Sequence, residues 1–264
     1  MTQPAIVEGL STWSPEHGLT PGQAQGGRLL VADSWLVRDG RVRGFDRHRE
    51  RFLRSCGECG APPLGRVVDF WTDMTAALPR TGEWFPRVEL ASGSLELRLL
   101  LRPAPPLGAE VRVWAAGQPD PRTVPRRKGP DLDALARVRG RASGAQADEA
   151  VLIAPSGLVL EAANSSLLWW EDDTLCLPPP RLPVLPGVTT ALVLERAARA
   201  GVRVAHRERS LADLDGREVW LVNALHGIRP VAAWTGRPMT AGRAVHARQW
   251  RKWLDGIMEP LPET

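Results

Sequence analysis

At 264 residues the chain is long enough for one large domain or two medium ones with ample core, and 43% hydrophobic with 24% charged residues excludes a disordered or fibrous protein. It has no apolar run of about 18 residues and no charged-then-apolar leader, so a soluble, cytoplasmic protein is expected; three cysteines make no disulfide framework. The net charge is only +4, and the pI near 9.6 reflects an arginine-rich composition without tyrosine, which argues only weakly for a nucleic-acid partner.

Residues 1–28, rich in Pro, Gly and Gln, read as loop with a short strand at Ile6–Val7. Leu29–Ala32 and Trp35–Val37 read as strands, and Arg38-Asp39-Gly40-Arg41 as a hairpin turn. Phe45–Cys56 follows as an amphipathic helix, with Asp46 as N-cap and Phe52 and Leu53 facing inward. The arginines of Arg41–Arg54, with those of Arg122–Arg141, carry a competing reading as a nucleic-acid-binding arm; a solvated helix face is the simpler one. Cys56-Gly57-Glu58-Cys59 is a lone CxxC without a second pair at zinc-ligand spacing, so free thiols are expected. Val67–Ala77 reads as a helix, and Arg87–Leu90, Leu95–Arg102 and Glu110–Ala115 as strands of an α+β first domain. Arg98 and Arg102, evenly spaced on one strand, share a face; either could hold a substrate carboxylate or simply lie at the surface.

Gly117–Pro130 holds four prolines and reads as the connection between domains. Leu132–Gln146 is a helix with Asp131 near its start. Asp148–Leu160 reads as strand, Pro-Ser-Gly turn and strand, delivering Glu161. A polar elbow, Ala162-Ala163-Asn164-Ser165-Ser166, leads to a strand at Leu167–Trp170 and another ending near Leu177; Leu185-Pro186-Gly187-Val188-Thr189-Thr190 then opens a long amphipathic helix. Val202–His206 is a strand, Ser210–Leu214 a helical turn, and Glu218–Val222 a strand running into Asn223-Ala224-Leu225. Gly242–Met258 closes the chain as a helix whose apolar face is Ala244, Ala247, Trp250, Leu254 and Ile257.

Of 34 basic residues only Lys128 and Lys252 are lysines. Where arginine serves nearly every cationic role, a mid-chain lysine is a candidate for chemistry that guanidinium cannot do: nucleophile, Schiff-base former or general base. Adjacent Arg126 and Arg127 would disfavour its ammonium form; a solvated lysine in a basic linker is the bland alternative.

The order of Lys128, Glu161, the LPGVTT turn and Asn223-Ala224-Leu225 resembles the class IV (fold type IV) pyridoxal-phosphate enzymes, which include branched-chain and D-amino-acid aminotransferases and aminodeoxychorismate lyase. The resemblance implies an α+β, two-domain fold type IV enzyme: a smaller N-terminal domain at 1–118, a linker at 119–130 ending at the lysine, and a cofactor-binding domain at 131–264. It implies pyridoxal 5'-phosphate as cofactor, with Lys128 as Schiff-base lysine and Glu161 facing the pyridine nitrogen. Leu185, on a ring face, and Gly187, Val188 and Thr189 complete the ring and phosphate contacts, with a second phosphate contact from Asn223-Ala224. His48-Arg49-Glu50-Arg51 fits the family's His-x-x-Arg element, making Arg51 a phosphate ligand from the first domain. Ser34, Arg98, Arg102, Ser165 and Ser166 are the substrate candidates. A homodimer acting on a small-molecule amine is implied, with no nucleic-acid or membrane partner. Asn-Ala-Leu tilts the choice toward the lyase, with an aminotransferase as alternative and a non-catalytic relative as another. The chain departs from the family in having Ser166 five residues after the glutamate, Asp131 three after the lysine, and no tyrosine.

Overall fold

The computed structural model describes residues 8–22, 27–60 and 62–263, so the strand expected at Ile6–Val7 lies outside the described residues. The chain forms two compact units: Met1–Leu107 with Arg127–Pro130 and Met258–Thr264, and Gly108–Arg126 with Asp131–Ile257.

The first unit contains β1 (Gly9–Ser14), β2 (Gly18–Pro21), β3 (Leu29–Ser34), β4 (Val37–Arg38), β5 (Arg41–Val42), α1 (Phe45–Glu58), α2 (Leu64–Ala77), β6 (Glu83–Trp84), β7 (Arg87–Ala91) and β8 (Glu96–Leu101). β1 and β2 fall in the stretch read as loop; their alternation is short, and they are completed by pairing with each other and of β1 with β8. The antiparallel sheet runs β2-β1-β8-β7-β3. Asp39 and Gly40 both have positive φ (47° and 68°), as a two-residue hairpin turn requires. Asp46 is not the N-cap of α1: Gly44 caps it at φ 60°, and Asp46 lies in the first turn, where a negative charge meets the positive end of the helix. An aromatic cluster of Trp35, Phe45, Phe52, Phe70 and Trp71 joins α1 and α2 to the segment after β3.

The second unit contains β9 (Val111–Pro119), α3 (Leu132–Gly144), β10 (Glu149–Ile153), β11 (Val159–Ala162), β12 (Ser166–Glu171), β13 (Thr174–Leu177), α4 (Val188–Arg199), β14 (Arg203–His206), β15 (Val219–Asn223), β16 (Gly227–Thr235) and α5 (Ala247–Gly256). Its sheet runs β11-β10-β9-β16-β15-β12-β13-β14. The strand expected at Glu110–Ala115 among those of the first domain is β9, which pairs in parallel with both β10 and β16 inside this sheet. The run Leu167-Leu168-Trp169-Trp170 is continuously apolar because both faces of β12 are buried. Leu167 and Trp169 enter one core, while Leu168 and Trp170 enter the other, beneath α4 and α5.

α5 begins later than its hydrophobic pattern suggests, and Ala244 is exposed ahead of it. The buried Glu218 carboxylate accepts the N–H groups of Val245, His246 and Ala247 at 2.9–3.1 Å, together with Trp220 Nε1 at 2.8 Å. It thus supplies acceptors for the first donors of the helix. After α5, β17 (Glu259–Pro260) pairs with β5 in the first unit, where a small sheet runs β17-β5-β4-β6. No helix among the described residues is long and apolar enough to cross a membrane.

Candidate active site

Lys128 is tied to β3. Its carbonyl accepts the Ala32 N–H at 2.8 Å. Gly129, at φ 132°, runs so close that a Cβ there would lie 2.6 Å from Ala32 N and 2.7 Å from Val31 C. Only glycine permits this approach of backbone to backbone.

At the end of β3 the buried Asp33 accepts from Arg51 Nε (2.8 Å) and Nη2 (2.7 Å), His48 Nδ1 (2.8 Å) and the Ser34 N–H (2.8 Å). Burial alone would raise the Asp33 carboxyl, but Arg51 and His48 together hold it well below the usual carboxylate range. Burial pushes the His48 imidazole down against the pull of Asp33, and the charge of Lys128 reaches it as well. Arg51, expected to face a phosphate, therefore has its Nε and Nη2 committed to an internal carboxylate. Asp33 escaped the sequence reading, although it is the only acid in the apolar run from Leu29 to Val37.

Ser34 is buried beside it. Arg98 and Arg102 do not share a strand face. Arg98 is in β8, buried and paired with Glu96. Arg102 lies past the end of β8, donating Nε to the Phe85 carbonyl at 3.1 Å with its guanidinium 4.9 Å from that ring's centre.

In the second unit, Asp131 closes the feet of the segment that carries the lysine. Its carboxylate accepts from Thr123 N (3.0 Å), Thr123 Oγ1 (2.9 Å) and Val124 N (2.9 Å). Asp131 stands at the start of α3, yet it spends these bonds on the preceding loop instead of capping the helix.

Glu161 lies within β11, opposite Leu152, and is 4% exposed. Both of its hydrogen bonds fall on Oε1, from Arg122 Nη1 and from the Leu185 N–H at 2.9 Å. Burial pushes its carboxyl up to about 7 against the opposing pull of Arg122 and the Leu185 N–H. Arg122 is held in turn by Asp120 (Nε–Oδ1 2.8 Å, Nη2–Oδ2 2.7 Å) and by the carbonyls of Pro183 (2.9 Å) and Pro125 (3.3 Å). Neither Asp120 nor Arg122 stood out in the sequence, where both look like charges in a proline-rich linker. Leu185, expected to contribute its side chain, contributes its N–H to the glutamate.

The LPGVTT turn leads into α4, whose N-cap, Gly187, makes no side-chain capping bond. A Cβ on Gly187 would lie 2.7 Å from Ser166 Oγ and 3.0 Å from Thr190 Oγ1, so the turn packs against the start of β12. Val188 and Thr189 are buried in the first turn, and a buried hydroxyl without a partner stands at Thr190, one residue beyond the expected Thr189. The Asn223 amide turns inward: Nδ2 donates to Ser165 Oγ (3.0 Å) and the Asn164 carbonyl (3.3 Å), and Oδ1 accepts the His226 N–H (2.8 Å). It braces the elbow after β11 and the turn that includes Ala224. Ser165 is thereby fixed, buried and with its backbone paired to Ala162.

A family model described as amino-transferase class IV matches residues 30–234. A curated aminodeoxychorismate lyase of Vibrio harveyi is 32% identical over 90 residues, 34% of this chain and 33% of that protein, so the match spans about a third of the relative's length. The PLP-bound form of a hypothetical aminotransferase from Mycobacterium tuberculosis superposes with a TM-score of 0.73 at 22% identity, covering 94% of this chain and 98% of that one. A branched-chain aminotransferase from Thermoproteus uzoniensis with norvaline gives 0.78 at 15%, covering 97% and 99%. A putative 4-amino-4-deoxychorismate lyase from Legionella pneumophila gives 0.73 at 17%, covering 90% and 96%. At these identities the structural likenesses establish the fold, and the family match spans most of the chain. This chain belongs to the class IV aminotransferase family.

Proposed function

We propose that the chain is a pyridoxal-phosphate-dependent enzyme acting on a primary amine, and that its reaction is of the aminodeoxychorismate lyase type, eliminating pyruvate to leave 4-aminobenzoate. The observation that carries the cofactor reading is the pairing of a buried, one-side-anchored Glu161 with an uncapped helix start and the partnerless Thr190 hydroxyl. The residues fit the cofactor's two polar ends. Unbonded donors at a helix N-terminus suit a phosphate, and a carboxylate with its second oxygen unused suits a protonated ring nitrogen.

Bound there, pyridoxal phosphate supplies an electron sink for the substrate's α-carbon. The chain's own residues do the rest. Lys128 would supply the amine that holds the cofactor and, as general acid and base, would move protons to and from the substrate's α-carbon. Glu161 keeps a proton on the ring nitrogen through Oε2. The first turn of α4, with the Val188 and Thr189 amides and the Thr190 hydroxyl, holds the phosphate. The Asp131 clamp and the Gly129 contact limit where Lys128 can stand.

The lyase reading is supported by the 32% identity to the Vibrio harveyi protein and by Asn223-Ala224-Leu225. The second reading, amino transfer to a 2-oxo acid, rests on the class IV aminotransferase family itself. One assay separates them: 4-amino-4-deoxychorismate should release 4-aminobenzoate and pyruvate in equal amounts. Turnover of branched-chain or D-amino acids with 2-oxoglutarate, without that release, would establish the transferase. Borohydride reduction followed by peptide mass spectrometry should place the adduct on Lys128 and leave none in Lys128→Ala or Lys128→Arg; an adduct on Lys252 overturns the assignment. The active form is proposed to be a homodimer, which sedimentation of the loaded enzyme tests.

A further inference from the structure

Glu161 is the end of a chain of charges, not an isolated carboxylate. Asp120 immediately follows β9, and both its oxygens accept from Arg122, at 2.8 and 2.7 Å from Nε and Nη2. The same guanidinium reaches Glu161 Oε1 through Nη1, while Nη1 and Nη2 also donate to the Pro125 and Pro183 carbonyls. All three side chains are nearly buried, with side-chain exposures of 10%, 6% and 5% for Asp120, Arg122 and Glu161. With so many bonds fixing it, the guanidinium cannot swing away from the glutamate without abandoning several acceptors at once.

The consequence is asymmetric. Oε1 has two donors and Oε2 has neither of them, so the rotation of the carboxylate is fixed and one oxygen is presented. A cation beside a buried carboxylate strengthens its charged form; an anion behind that cation weakens the effect. Arg122 and Asp120 are the charged groups that act most strongly on Glu161. Resting on the cofactor reading above, we propose that Asp120 is a positioning residue which, through Arg122, orients Glu161 and sets how firmly Oε2 holds the proton of a ring nitrogen placed against it.

The inference is tested on the cofactor-free protein, so that it stands or falls separately from the cofactor reading. Glutamate labelled with 13C at its carboxyl is titrated by NMR from pH 4 to 9, the Glu161 signal being assigned by its loss in Glu161→Gln. Asp120→Asn keeps the side-chain shape and one acceptor but removes the anion, so the Glu161 midpoint should fall by about half a unit or more. Arg122→Gln removes the cation, so the midpoint should rise by about one unit or more. Arg122→Lys, which keeps the charge with fewer donors, should stay closer to wild type and serves if the glutamine variant does not fold. Opposite movements in Asp120 and Arg122 variants support the relay. An unmoved or raised midpoint in Asp120→Asn overturns it, as does an unmoved midpoint in Arg122→Gln. Failure to form a reducible adduct at Lys128 in the wild type would refute the cofactor reading while leaving the titration result intact.

Discussion

An arginine that meets a ligand and an arginine that neutralises a buried carboxylate respond differently to truncation, and Arg51 has the second kind of partner. Arg51→Ala takes from the buried Asp33 its guanidinium partner and leaves it only His48 and the Ser34 N–H, a loss worth up to about 3–5 kcal/mol. The cofactor-free protein should therefore lose thermal stability, and the double variant with Asp33→Asn should recover much of it. A variant of unchanged Tm with weakened cofactor binding would instead make Arg51 a phosphate ligand alone. Glu161 carries a second prediction at this scale. Its folded carboxyl, near 7 against an ordinary 4.5, keeps its proton where the unfolded chain has lost it. That contribution is full below pH 4.5 and is lost as the pH rises through 7. Cofactor-free Glu161→Gln should lack this decline in Tm, and the loaded variant should bind cofactor while turning over slower by about a hundredfold or more. Lys128 and Glu161 stand out in the sequence because rarity and order mark them. Asp33, Asp120 and Arg122 do not, since each takes its meaning from a partner that only folding brings alongside.

Helices and strands were mostly legible, because their signals are periodic; their ends were not. Asp46 and Asp131 carry the residue type of a cap, yet neither caps its helix, and the acid that caps α5 is Glu218, on the segment entering β15. Local propensity names the kind of group a helix end needs, whereas tertiary approach decides which group supplies it. Two expected outcomes follow. Asp131→Ala removes three hydrogen bonds to the loop before Lys128 and should cost about 1–3 kcal/mol of stability, measured by urea unfolding. It should also slow adduct formation at Lys128, since the lysine's approach is then less restricted. Gly129→Ala forces a Cβ into the β3 backbone and should lower Tm more than Gly157→Ala, where a Cβ meets nothing.

At the scale of the whole molecule, the arginines that suggested a nucleic-acid surface include two spent on buried pairs: Arg51 with Asp33, and Arg122 with Asp120 and Glu161. Charge counted along a sequence does not distinguish a paired cation from a displayed one, so the composition was legible and its use was not. The pairing also predicts the acid limb of stability. Asp33, held below its ordinary value of 3.8, contributes fully above that pH, and the contribution is lost as the pH falls toward its folded value. Acid unfolding of the wild type should steepen below about pH 4, and Asp33→Asn should flatten that slope. An unchanged slope would mean that other carboxylates dominate.

The chain enters its first unit three times, before residue 108, at Arg127–Pro130 and again from Met258. Breeding this enzyme with its relatives is constrained by that weave. A single crossover near residue 107 would marry one parent's β3 to the other parent's lysine strap, and one parent's β5 to the other's β17. A chimera that respects the structure must exchange all three segments together, so recombination libraries should be drawn with four junctions: one after Leu107, one on each side of Arg127–Pro130 and one ahead of Met258. Every single junction placed between β3 and Gly129 gives a chain whose Gly129 meets a foreign strand.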